Sequence, residues 1–165
     1  MRDKHIIFSY GSNMSEKELN KYKNKLKNPN KIHFELLDVC VLKNHKFSYE
    51  NTCYPKVKKI KATVVPTKNR KVYGTAVEVS DELFNLILKK EGVLRNVYRV
   101  EIHPIHSLFS NKKYKAKVFV MNETASPSSG YPSMAYEKTI VNAAKYHNFP
   151  SRYINKYLKV SRERK

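Results

Sequence analysis

No apolar run in the sequence approaches the ~20 residues that a membrane helix requires. The first residues, "MRDKHIIFSY", hold only a short apolar stretch and no signal-peptide cleavage pattern, so the expected compartment is the cytoplasm. Cysteine is scarce. Cys40 and Cys53 fall outside any C-x-x-C spacing, which speaks against a disulfide framework and against a metal site built on them. G-x-S-x-G, P-loop and G-x-G-x-x-G motifs are missing, and so are repeats and low-complexity linkers. "HPIH" (103–106) offers two histidines, but Pro104 and the strand-like context do not suit a convergent metal pair. Acidic residues are few, 14 Asp and Glu against 33 Lys and Arg, for a formal charge of +19. Such a field attracts nucleic acid, anionic surfaces or anionic small molecules. The lysines are dispersed over "KYKNKLK" (21–27), "KVKKIK" (56–61), "NKKYKAK" (111–117) and the final "SRERK", without a recognisable nucleic-acid-binding module. Nucleic acid is therefore not the expected partner, and a membrane is not expected either.

What is present suits one globular domain over residues 1–165: 41% hydrophobic and 12% aromatic residues, enough for a core and short of two domains. Residues 5–10 read as a first strand. Ser15, with Glu18 three residues on, opens a helix running to about Leu26. "KIHFELLDVCVLKNHKFSYE" has two strand lengths. "IKATVVPT" and "KVYGTAVEVS" look like an antiparallel pair around the turn "PTKNRK". Ser80 caps a short helix that Gly92 stops, strands return at "VYRVEIHPI" and "YKAKVFVM", residues 125–133 form a loop, and helices follow at about 133–147 and 150–159. Many strands without regular βαβ alternation predict an α+β fold on a mixed, largely antiparallel sheet, closed as a β-barrel with helices packed outside.

Two places could carry chemistry. The first strand ends in Tyr10-Gly11-Ser12-Asn13, which puts backbone N–H groups, a hydroxyl and an amide together. Gly11 allows a ligand close to the main chain, and backbone donors in such a concavity favour an anionic or carbonyl oxygen. A plain strand–turn–helix junction would use the same residues. The second place is Glu91, at a helix C-terminus where the macrodipole disfavours a carboxylate, although Lys89 and Lys90 offset this. Glu91 could be a solvated charge. If it faces a partly apolar pocket its pKa rises, which suits a group that accepts and then returns a proton.

Together the pieces resemble the γ-glutamylcyclotransferase (AIG2-like) family. "FSYGSNM" resembles its strand-plus-loop motif, "KNHKFSYE" its next element, and the block from Ile60 to Val93, with Pro66, Gly74 and Glu91-Gly92-Val93, its centre. Tyr98 follows Glu91 by seven residues, and Tyr136 precedes Pro150 of the "FP" pair by fourteen. The likeness extends over nearly the whole chain. Phe149 stands where relatives carry Leu, Asn148 where a Gly is frequent, and the lysine excess is atypical of the family. The resemblance implies that Ile7, Phe8, Ser9, Tyr10, Gly11, Ser12 and Asn13 line a substrate pocket. It makes Glu91 the catalytic acid and base, and has Tyr98 and Tyr136 touch substrate. The implied reaction is intramolecular aminolysis of a small γ-glutamyl compound, releasing 5-oxoproline and an amine, with no cofactor and no metal. A non-catalytic sensing module of the same fold, or a basic nucleic-acid-associated protein, are the alternatives. An exposed sheet edge or helix face could pair two copies as a homodimer.

Overall fold

The structure is a computed structural model that describes residues 3–52, 59–122 and 131–162. Cys53 and positions 125–130 of the expected loop lie outside the described residues. Five strands, β1 (Lys4–Ser9), β2 (Phe34–Asn51), β3 (Ile60–Ser80), β4 (Tyr98–Ser107) and β5 (Lys113–Met121), close a barrel in the order β1-β3-β2-β4-β5. All neighbours are antiparallel except β1 and β5, which meet parallel at Ile7 and Lys117 and shut the ring. The mixed α+β barrel of the sequence reading is the fold observed.

Period-2 alternation sorts the side chains into two cores. Phe8, Ala76, Ala116, Val118 and Val120 face one core with Cys40, Val72 and Ile105. Their strand neighbours Ile7, Val77, Val79, Phe119 and Met121 face the other. Helix α2 (Asp81–Lys90) covers this second core with Leu83, Phe84 and Ile87, at roughly 1.5–3 kcal/mol of favourable burial each. Helix α3 (Met134–Tyr146) and the turns after it cover the first with Ile140, Ala144, Phe149, Tyr153 and Leu158.

Two local expectations change. The helix after Ser15 is α-helical only over Glu16–Asn20 (α1) and continues as a tighter 3-10 stretch, Lys21–Lys25. Its lysines and asparagine carry few apolar residues to hold a longer helix; Tyr22 is the buried one. "IKATVVPT" and "KVYGTAVEVS" do not pair with each other. They are two parts of β3, and both pair with β2: Lys71 to Val79 against Phe34 to Lys43, Ile60 to Pro66 against His45 to Asn51. The supposed turn is a bulge, residues 67–70, set opposite Asn44. Asn44 and Asn69 take positive φ (57° and 61°), a region asparagine tolerates, and the Asn44 side chain accepts from Asn69 N–H at 3.3 Å. Beyond this bulge the β2–β3 ribbon reaches the end of β4 and β5. There Thr63 Oγ1 accepts from Met121 N–H (2.9 Å), and Ala62 C=O accepts from Tyr98 O–H (2.6 Å). No helix among the described residues is long and apolar enough to cross a membrane.

Candidate active site

The end of β1 is fixed by what lies behind it. Gly74 of β3 packs against Phe8 and Ser9 so closely that a Cβ there would sit 2.5 Å from the Phe8 ring and from Ser9 C=O. Past Ser9 the chain turns. Met14 N–H bonds to Gly11 C=O and Ser15 N–H to Ser12 C=O, both at 3.1 Å, forming a short 3-10 turn whose first amides have no carbonyl within the turn. Ser15 then caps α1 by accepting from Glu18 N–H at 3.4 Å. Tyr10 is buried, and its hydroxyl donates to Phe119 C=O on β5.

Opposite this loop, α2 delivers Glu91. Ser80 Oγ holds the start of the helix, accepting from Leu83 N–H (3.4 Å) and His33 N–H (3.2 Å). Glu91 is the C-cap, and Gly92 ends the helix at φ 66°, a left-handed conformation that favours glycine. The Asn13 amide nitrogen reaches Glu91 Oε1 at 3.5 Å, the long limit of a hydrogen bond. The Asn13 carbonyl oxygen is buried and accepts no hydrogen bond from the described residues.

Glu91 keeps some surface as a residue, but its carboxyl points inward. Burial raises its pKa above the usual carboxylate value, while Lys90, Lys61 and the Asn13 amide pull the other way. The phenols of Tyr10, Tyr98 and Tyr136 are held neutral, above all by burial, with the Glu91 charge adding to each.

One residue of β3 organises both outer tyrosines. Ala62 C=O accepts from Tyr98, and Ala62 N–H donates to Tyr136 O at 3.1 Å. A Tyr136 hydroxyl that accepts there still has its own proton to donate. Lys61 lies with its ammonium 4.3 Å from the Tyr136 ring centroid, a cation–π contact.

All ten residues singled out from the sequence, Ile7 to Asn13 with Glu91, Tyr98 and Tyr136, line one cavity of about 40 Å³, joined by Ala62 and Phe119. That is room for about three water molecules. A larger antechamber of about 360 Å³ shares Ser12, Glu91, Tyr98 and Tyr136 and opens the cavity outward; Lys59, Lys61, Lys90 and Arg95 also line it. Sequence reasoning missed Ala62, whose contribution is purely backbone and leaves no side-chain signal. It also missed Lys59, just before β3, and Lys61, its second residue. The residues of "HPIH" do not converge: three apart on β4, His103 and His106 point to opposite faces, and His103 bonds Glu101 at 2.8 Å.

A short loop of backbone donors is thus faced by one inward-pointing carboxyl, inside a wall of neutral phenols. Such a site can bind a carbonyl-bearing small molecule and move a proton at its edge.

The likeness to solved structures follows the whole chain. A γ-glutamyl cyclotransferase superposes with a TM-score of 0.79 at 20% identity, over 98% of this chain and 90% of that one. An uncharacterised protein from Homo sapiens gives 0.74 at 22%, over 97% and 89%. A glutathione-specific γ-glutamyl cyclotransferase from yeast gives 0.53 at 11%, over 93% and 96%. At these identities the likeness establishes the fold. A search of curated proteins found no match. The family model described as "AIG2-like family" matches residues 71–157, more than half of the sequence, from the second part of β3 through Glu91 and Tyr136 to the C-terminal turns. The chain belongs to the AIG2-like family.

Proposed function

We propose that the protein is a γ-glutamylcyclotransferase-type enzyme: it closes the γ-glutamyl group of a small substrate into 5-oxoproline and releases the amine attached to it. The observation that carries this reading is the Glu91 carboxyl, raised in pKa by burial, set beside Asn13 at the edge of the Tyr10–Asn13 loop.

A γ-glutamyl compound contains both reactants, an α-amine and a γ-carbonyl, so the protein's first task is conformational. Holding the bent conformer converts a rare encounter into a resident one, with effective molarities of roughly 10⁵–10⁸ M for well-oriented groups. The α-ammonium must lose a proton. Glu91 as carboxylate takes it, and the buried Asn13 carbonyl oxygen supplies the acceptor that orients the same nitrogen. The freed amine attacks the γ-carbon, and the C–N bond forms as the carbonyl becomes an oxyanion. Amides at the start of the turn, Ser12 and Asn13, are the donors for that oxygen. Glu91 then returns its proton to the departing nitrogen and the old C–N bond breaks; the ring nitrogen passes its remaining extra proton to the regenerated carboxylate and through it to the freed amine, so that the lactam and an ammonium ion leave with Glu91 again a carboxylate. Proton count and charge balance without a metal, a nucleotide or a covalent enzyme intermediate. Tyr98 and Tyr136, pinned to Ala62, form the wall that keeps the glutamyl chain bent. The reaction asks for neither an oxidising compartment nor a membrane, in keeping with the cytoplasm.

The test is direct. Purified protein incubated with γ-glutamyl-alanine is expected to form 5-oxoproline and alanine in equal amounts. Binding without lactam would make it a sensing module, and the catalytic reading would fall.

A further inference from the structure

Away from the cavity, three ionisable side chains meet where the barrel closes. β1 and β5 are in register there at Ile7 and Lys117. Lys117 Nζ lies 2.6 Å from His5 Nδ1, and His5 Nε2 lies 2.8 Å from Asp81 Oδ1. Asp81 is the first residue of α2, so one imidazole links both strands of the seam to the helix. Its side chain is only 15% exposed. The ring stacks on Phe84 of α2 with centroids 4.3 Å apart, and the Lys117 ammonium lies 4.4 Å from the centroid of the same phenyl ring.

These distances fix where the protons are. An ammonium has only protons to offer, so Lys117 donates and His5 Nδ1 is bare. The ring proton is then on Nε2 and is donated to the Asp81 carboxylate. The opposite allocation, an imidazolium beside a neutral amine, works against the roughly four units that separate the intrinsic pKa values of lysine and histidine. The row thus runs from ammonium through neutral imidazole to carboxylate.

A second proton on His5 would set an Nδ1–H against an ammonium across a 2.6 Å gap with no acceptor between them. The other groups around the ring do not relieve this. Asp81 favours the imidazolium but is reached through Nε2, and its second oxygen already accepts from the Asn85 amide at 3.3 Å. By alternation Asp3, just before β1, and Lys115 of β5 face the same side, and both are exposed. The strand neighbours are apolar: Val79 of β3 opposite His5 and Ile102 of β4 opposite Lys117. Lys4 and Glu78 pair with each other at 2.7 Å. The imidazolium therefore keeps Asp81, and Lys117 has to move away.

We propose that His5 is a proton-operated latch on the barrel seam: neutral, it ties Lys117 of β5 to Asp81 of α2, and protonated, it holds Asp81 alone and releases Lys117. Histidine is the side chain whose charge changes in mild acid, so the seam loosens there while α2 stays clipped to β1. The latch stands apart from the cyclotransferase reading, since none of its residues lines the cavity that holds Glu91.

Imidazole 15N NMR of the whole protein tests it, with the His5 signals identified by their loss in His5→Gln. At about pH 8 the expected state is the neutral tautomer protonated on Nε2. Lys117→Met is expected to make His5 about tenfold easier to protonate, and Asp81→Asn about tenfold harder, opposite signs that a merely structural contact would not give. Lys117→Gln serves the same purpose where Lys117→Met does not fold. Main-chain hydrogen exchange around Lys117, corrected for the chemical rate, should quicken about tenfold between about pH 7.5 and about pH 5.5 in wild type and stay flat in His5→Gln. A tautomer protonated on Nδ1, an unchanged His5 protonation constant without the Lys117 charge, or the same acid response in His5→Gln overturns the latch. The first of these needs no variant.

Discussion

Replacing Gly74 with alanine tests how rigidly the barrel holds the loop at the end of β1. The added Cβ would stand 2.5 Å from Cε2 and Cζ of Phe8 and 2.5 Å from Ser9 C=O, whereas ordinary contact begins at 3.4 Å. About 1 Å must therefore be found somewhere. Phe8 cannot swing away, since its ring is 1% exposed inside the barrel core. Ser9 C=O is backbone in the β1–β3 ladder, where Ser9 pairs with Thr75 and Phe8 with Ala76. Overpacking costs about 1–3 kcal/mol, and a clash shared between a locked ring and a backbone carbonyl belongs at the upper end. In a chain of this size, about 3 kcal/mol corresponds to a fall in Tm of roughly 6–12 °C. The relief available is a shift of the β1 end, which carries Tyr10 to Asn13 with it. A displacement of about 1 Å can cost on the order of 10²-fold in rate even far from the chemistry. Thermal unfolding by circular dichroism reads the first effect. 5-Oxoproline formation at a temperature well below the variant's Tm reads the second. A Gly74→Ala protein that melts within about 2 °C of wild type and turns over normally would refute the packing argument.

Three further predictions follow the same physics. The Glu91 carboxyl is raised in pKa by burial, so its cost to folding is absent below the unfolded value near pH 4.3 and grows as pH rises through the folded value. Glu91→Gln is accordingly expected to melt above wild type at about pH 7.5, the gap closing toward about pH 4, where both side chains are neutral; a gap independent of pH would contradict it. Tyr136→Phe removes the acceptor of Ala62 N–H and should cost about 1–3 kcal/mol in urea unfolding. An unchanged midpoint would show that this bond does not hold the wall. Cys40 is buried, and burial, with Asp38 nearby, pushes its thiol up to about 12. It should resist alkylation in the native protein and react in urea, as peptide mass spectrometry of the labelled position would reveal; fast native labelling would contradict its burial.

The barrel and its strands were legible because alternation survives in the sequence: Ile7 and Phe8 face different cores, as do Val118 and Phe119. The start and stop of α2 were legible for local reasons, Ser80 as cap and Gly92 at positive φ. The path of β3 was not. "PTKNRK" has the composition of a tight turn, and only the β2 ladder, a long-range feature, makes it a bulge. That one difference is functional, for it lets Ile60 to Pro66 run on along β2 and brings Ala62 against Tyr98 and Tyr136. Glu91 looked anomalous at a helix C-terminus, and its surroundings supply a reason: the position aims the carboxyl at Asn13. The basic surface was visible as composition, but only the fold collects Lys59, Lys61 and Lys90 around one opening.

Everything chemical in this account runs through the Glu91 proton. The decisive measurement is the rate of 5-oxoproline release from a γ-glutamyl dipeptide by wild type and by Glu91→Gln, with circular dichroism showing both folded alike. The account predicts lactam from wild type and a fall of about 10²–10⁴-fold in the variant. A folded Glu91→Gln protein that releases lactam at nearly the wild-type rate would contradict it.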